Sequence, residues 1–251
     1  MKKTSPKLNK MTAVLLLLCL WQGAAMLLDK KILLASPAAV LIRLFTIWKE
    51  EGFIETAAFS FLRIAGGFAA AFILGAAFSV LSGSFPSVEI LLSPLMAAVK
   101  SVPVASFIII ALIWLSSSEL SVFISFLMVL PIIYNNCLAG IKSIDKKMLQ
   151  MADVFRLSFV KRFTFIWLPS MKPHIFSACR TALGIAWKSG IAAEVIGIPS
   201  GSVGEKLYEA KAYLNTVDLF AWTVIIVALS FIFEKLCIKF LEFFYNKIEN
   251  I

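Results

Sequence analysis

The sequence predicts an all-α, polytopic membrane helix bundle, and three observations carry that prediction. Of 251 residues, 60 % are hydrophobic and only 16 % charged, where soluble domains carry about 25 % charged residues. The mean hydropathy is +0.91. The apolar residues fall into six blocks, each close to the ~20 residues that a helix needs to cross a bilayer core. Lys and Arg gather at the ends of those blocks and give a net charge of +9. That pattern follows the retention of cations on the cytoplasmic side and excludes nucleic acid as the partner that the charge serves.

Residues 1–10 carry four lysines and precede the first apolar block, 11–28. The block exceeds the ~7–15 residues of a signal-peptide core and further spans follow, so it reads as a retained helix with its N-terminus inside. The mixed segment 29–55 then lies outside. Within it Ser36 suits an N-cap and Pro37 the first helical position, opening a surface helix that sets Leu41, Leu44, Phe45 and Trp48 on one face.

The second span, 56–81, is rich in Gly and Ala. Small residues let helix backbones approach closely in lipid, so this helix belongs at the centre of the bundle. Residues 82–89 form an inside turn with Pro86. The third span, 90–115, is interrupted by Lys100-Ser101-Val102-Pro103, because proline removes one backbone hydrogen bond and frees a carbonyl. After an outside turn, the fourth span (120–141) carries Pro131, Asn135 and Asn136, polar groups that belong against protein rather than lipid. The fifth (175–198) contains Arg180, Lys188 and Glu194; an outside loop (199–217) leads to the sixth (219–236) and a basic tail. The expectation is a single domain, 1–251, with six helices and both termini cytoplasmic.

Between spans four and five lies the longest charged stretch, residues 142–173. It holds seven basic residues and only two acidic ones, Asp145 and Asp153, which places it in the cytoplasm. Met148, Met151, Ala152 and Phe155 recur at helical spacing. With Phe159 and Phe163 they would expose a large apolar surface unless a partner covered it. The stretch therefore reads as a folded platform offered to another protein.

Several chemistries are excluded. The four cysteines, Cys19, Cys137, Cys179 and Cys237, are dispersed through apolar blocks without metal-ligand spacing. A single histidine, His174, supports neither a metal site nor a Ser-His-Asp arrangement, and beside Pro173 at a helix start it is expected to face water or headgroups. No glycine-rich phosphate loop occurs, so any ATP is bound by another subunit and no cofactor is expected. A secondary transporter or channel would show inverted repeats or a chain of intramembrane acids, and a membrane enzyme would need clustered reactive groups; neither pattern is present.

The platform resembles a loop of the permease subunits of bacterial ATP-binding-cassette importers, which reads E-A-A, three residues, G, nine residues, I-x-L-P. Anchoring on Ile166-Trp167-Leu168-Pro169 sets Gln150-Met151-Ala152 on the E-A-A and Arg156 on the glycine. Ala152, Ile166, Leu168 and Pro169 keep the pattern; Gln150 and Arg156 depart from it. Further stretches resemble the nitrate, sulfonate, taurine and thiamine-precursor importers over nearly the whole chain: Ser36-Pro37-Ala38-Ala39-Val40, Phe61-Leu62-Arg63 with Gly67-Phe68, Lys100 to Ala105, Ala182 to Trp187 and Ala192 to Gly197.

The resemblance implies a type I importer permease fold in the bacterial inner membrane, a homodimeric pore, a cytoplasmic ATPase dimer and an extracytoplasmic substrate-binding protein. The permease itself is then no enzyme. The platform becomes a coupling element, with Gln150, Met151, Ala152, Phe155, Arg156, Ile166, Leu168 and Pro169 meeting the ATPase and Ala152 forming a close seat on it. Glycine reaches positive φ cheaply; Arg156 does so at steric cost, which predicts a turn of different shape. Lys188 lies about 20 Å along the fifth span, at a depth where a cation costs about 2.5–3.5 kcal/mol unless it faces a cavity or an acid. Glu194, six residues on, points elsewhere around the helix. Lys188 is thus the leading candidate for the translocation pathway of a small anionic or heterocyclic solute, with Asn135, Asn136 and Glu194 as further candidates.

Overall fold

A computed structural model describes residues 6–28 and 32–249; Lys2, Lys3 and residues 29–31, which contribute to the charge reading of the N-terminus, lie outside the described residues. Every regular element among the described residues is helical: α1 (Pro6–Leu28), α2 (Pro37–Ile47), α3 (Phe53–Ser84), α4 (Pro86–Ser101), α5 (Val104–Ala111), α6 (Ser117–Lys142), α7 (Lys146–Val154), α8 (Phe159–Arg162), a π-helical turn (Phe163–Trp167), α9 (Leu168–Gly197), α10 (Val203–Ala212) and α11 (Thr216–Glu249).

Four of these, α1, α3, α6 and α11, are long and apolar enough to cross a membrane. The third predicted span is not one straight helix. Val102 is held extended before Pro103, as the clash with a proline ring requires, and α4 and α5 meet at a 100° bend. The pair is a fifth crossing only if this broken helix counts as one. α9 has the length, 30 residues, but carries Lys172, Arg180, Lys188 and Glu194 along it. The predicted outside loop after it contains a helix, α10, capped by the Ser202 hydroxyl on the Glu205 N–H at 2.9 Å. At α2 the Ser36 hydroxyl accepts from the Ala39 N–H at 3.3 Å, with Pro37 in the first turn.

α6 is the centre of the bundle, packed along its length between α3 and α9. Glycine sets the spacing. A Cβ on Gly67 of α3 would stand 2.3 Å from the Val122 carbonyl oxygen, and one on Gly83 would stand 2.8 Å from Ile141. On the other side, a Cβ on Gly190 of α9 would stand 2.5 Å from the Ser125 hydroxyl. In lipid, where helices gain little from hiding apolar surface, this backbone approach supplies the dispersion contacts that hold them together. Cross-helix hydrogen bonds join in: Ser82 with Tyr134 at 3.0 Å, and Ser125 to the Ala186 carbonyl at 3.1 Å. His174 is half-buried, its ring lying beside Gly140.

Gly67 and its neighbour give a sharp test. Gly67→Ala drives a methyl into backbone, which no rotamer relieves, and is expected to destabilise the protein by about 1–3 kcal/mol. Gly66 has nothing within 4 Å of its would-be Cβ, so Gly66→Ala should leave the thermal midpoint in detergent unchanged. Equal midpoints for the two variants would refute the close α3–α6 contact.

Candidate functional site

The platform is built from local rules. Asp145 accepts from the Lys147 N–H at 2.9 Å and starts α7. At the other end Arg156 takes φ of 47°; its N–H donates to the Asp153 carbonyl at 3.0 Å, and the Leu157 N–H donates to the Ala152 carbonyl at 2.9 Å. That bond pair is a Schellman motif with Arg156 in the left-handed position where glycine is usual. The turn therefore has the shape a glycine would give, not a different one, and the arginine bears the strain of it. An Arg162–Asp153 ion pair ties the two halves of the platform together.

Next come α8 and the π-helical turn, in which the Leu168 N–H reaches back to the Phe163 carbonyl. Pro169, without an N–H, cannot serve the Phe165 carbonyl. Ile166, Trp167 and Leu168 are buried there and root the platform in α9.

The sequence-predicted platform residues thus separate into two groups. Gln150, Met151, Phe155, Arg156 and Pro169 are exposed. Ile166, Leu168 and Ala152 are not. Ala152 is 0 % exposed within its own chain, so its small side chain serves internal packing and is no seat for another subunit. Val154, which sequence reasoning passed over, is 79 % exposed and extends the apolar face of α7, three residues on from Met151; Val160, on α8, is 70 % exposed.

The four intramembrane candidates do not converge. Asn136 donates to the Ile132 carbonyl at 2.8 Å and Asn135 to the Pro131 carbonyl, so each gives one amide proton to its own helix. Glu194 is 0 % exposed. Its carboxylate accepts from the Ser60 hydroxyl at 2.7 Å and the Gly204 N–H at 3.2 Å, while the Ser60 oxygen accepts from the Val203 N–H at 2.9 Å. It fastens the start of α10 to α3 and α9, while its Oε1 is buried without a hydrogen-bond partner among the described residues. Lys188 alone is exposed. On the same face of α9, Ser177 and Thr181 are exposed, and Gly184 and Ala192 partly so. At the far end from the platform, Arg43 bonds to Glu50 at 2.5 Å and to Asp218, and these line a polar cleft of about 230 Å³. The Arg43 pKa is pushed up, first by the hydrogen bond to Glu50.

Residues 67–246 match the binding-protein-dependent transport system inner membrane component family. The chain belongs to that family. It is therefore a multi-pass inner-membrane component of a transport system. It is 28 % identical to the taurine transport system permease protein TauC of Escherichia coli, over 89 % of this chain and 83 % of that one. With the bicarbonate transport system permease protein CmpB of Synechocystis sp. it shares 30 % identity over 84 % and 79 %. Among solved structures, that titled "Crystal structure of an amino acid ABC transporter with histidines" covers 77 % of this chain and 91 % of its own, with a TM-score of 0.53 at 16 % identity, a likeness of fold. The family is one of transport components that depend on a binding protein.

The strain at Arg156 predicts a gain on removal. Arg156→Gly should raise stability by about 1 kcal/mol and slow hydrogen exchange at the Leu157 amide, whereas Arg156→Val should lower stability. A fall in thermal midpoint for Arg156→Gly would refute the left-handed cap.

Proposed function

We propose that the chain is the pore-forming permease of an ATP-driven importer, with the platform docked on a cytoplasmic ATPase dimer and the opposite end facing an extracytoplasmic binding protein. Both termini lie inside, as the Lys and Arg distribution favours, and α9 makes a crossing from within the bundle, where its polar groups meet protein. The pore forms against a second permease chain, read as another copy of this one. The observation that carries the proposal is the continuity of the exposed apolar platform, through its buried root, with the helix that bears Lys188.

Lys188 and the hydroxyls of Ser177 and Thr181 make a face unsuited to lipid, where an unpaired cation is costly. They suit a hydrated passage. A cation there favours a small anion-bearing solute, and the relatives named above are named for taurine and bicarbonate, which both carry an anionic group. ATP-driven closure of the ATPase moves the platform, and α9 moves with it.

Two variants test separate halves of this reading. Lys188→Met should cut uptake at limiting substrate about tenfold or more while ATPase assembly and basal hydrolysis persist, and Lys188→Arg should restore most of the uptake. Normal uptake by Lys188→Met would remove Lys188 from the pathway. Phe155→Asp, a fully accessible site 72 % exposed, should leave the permease folded and weaken ATPase binding in pull-down from detergent. Full binding by that variant would overturn the docking face.

A further inference from the structure

Between α3, α11 and the root of α9 runs a groove of about 1040 Å³. Small side chains of α3 (Ala65, Ala69, Ala76) form one wall, and Phe233, Phe240 and Phe244 of α11 face them. The platform closes one end with Phe159 and Phe163. No lining residue carries a charge, and the only polar atoms there belong to Cys237 and Tyr245.

At the platform end the character changes. The Lys172 ammonium lies 5.5 Å from the centroid of the Tyr245 ring. Lys247, which is exposed, lies three residues beyond Phe244 and so on the same face of α11. An apolar slot that ends in two lysines repeats the order of a phospholipid, apolar tail and then anionic headgroup.

We infer that this groove is a binding site for an anionic phospholipid of the platform-side leaflet, its acyl chain against α3 and α11 and its phosphate between Lys172 and Lys247. Each methylene withdrawn from water stabilises the bound chain, and lipid tails can reach the groove sideways from the bilayer. The alternative occupant, helix α1 of a second copy, carries no acidic residue to meet these lysines.

The experiment is lipid analysis by native mass spectrometry of the full-length protein after delipidating detergent washes and reloading from phosphatidylglycerol or phosphatidylethanolamine vesicles. Wild-type protein should retain one phosphatidylglycerol per chain. The double variant Ala69→Trp and Ala77→Trp fills the groove from exposed positions and should lose it, while Ala70→Trp, exposed but outside the groove, should keep it. Replacing Lys172 and Lys247 by Gln should lower the preference for phosphatidylglycerol over phosphatidylethanolamine by about tenfold or more without abolishing retention. Retention unaffected by the tryptophan pair would overturn the site. So would a photo-crosslinker at Ala77 that joins two permease chains instead of capturing lipid.

Discussion

The contact on which the rest of this structure depends is the backbone approach of α3 and α9 to α6. In lipid the hydrophobic effect does little to bring helices together, so their cohesion comes from dispersion at short range and from cross-helix hydrogen bonds. Both need close backbones. Gly67 and Gly83 give that on one side of α6 and Gly190 on the other, and the short distances let Ser82 reach Tyr134 and Ser125 reach the Ala186 carbonyl. The three-helix unit then fixes where everything less apolar must sit. The broken pair α4–α5 and the helices α1 and α11 are arranged around it, and α1 is exposed along nearly its whole apolar length.

That arrangement sorts the intramembrane polar groups by whether the chain itself can satisfy them. An unpaired donor or acceptor costs far more in this setting than in water. Asn135 and Asn136 bond to carbonyls one turn back. Glu194 is enclosed with one oxygen bonded to Ser60 and to the Gly204 N–H at the start of α10, where the positive end of the helix dipole also favours a carboxylate, and with its other oxygen unpaired. Lys188 has no such treatment: it stands on an exposed face of α9 among hydroxyls and small residues. The contrast within one helix is the reason Lys188 and Glu194, six residues apart, receive opposite readings, one a candidate for solute contact and the other a fastening.

Much of this was legible in the sequence because it rests on local chemistry. Ser36 and Pro37 announce the start of α2, and the Lys100 to Pro103 break announces the bend between α4 and α5, although nothing local gives its 100° angle. The alignment of Arg156 with a glycine position located the turn, but the expectation of a different shape there failed, because the chain accepts the steric cost of positive φ at an arginine. What could not be read was side-chain direction across the bundle. Ala152, a small residue on an amphipathic helix, suits a seat on another subunit as well as it suits a close internal contact; only the fold shows it enclosed. Glu194 looked like a pathway group because its partners, Ser60 and Gly204, come from α3 and α10. Lys172 and Tyr245 are likewise far apart in the chain and meet only across the groove.

The same distinction bears on how movement could pass through the molecule. α7 touches the rest of the chain through buried Ala152 and through the short run of α8 and the π-helical turn, with the Arg162–Asp153 pair as a brace. Ile166, Trp167 and Leu168 are packed, so that run is not a loose tether. From Leu168 to Lys188 is a continuous helix of about 30 Å, and helices of that length transmit tilt better than they absorb it. The π-helical turn changes the register of the hydrogen-bond ladder between α8 and α9, which makes it a soft point between platform and pathway. In the proposed mechanism a displacement of the platform is therefore divided there: part bends the π-turn and the remainder swings α9. Gly190 and Gly140 hold α9 against its neighbours at backbone distance, so the swing must carry α6 with it, and the three-helix unit moves as one body around the face that bears Lys188.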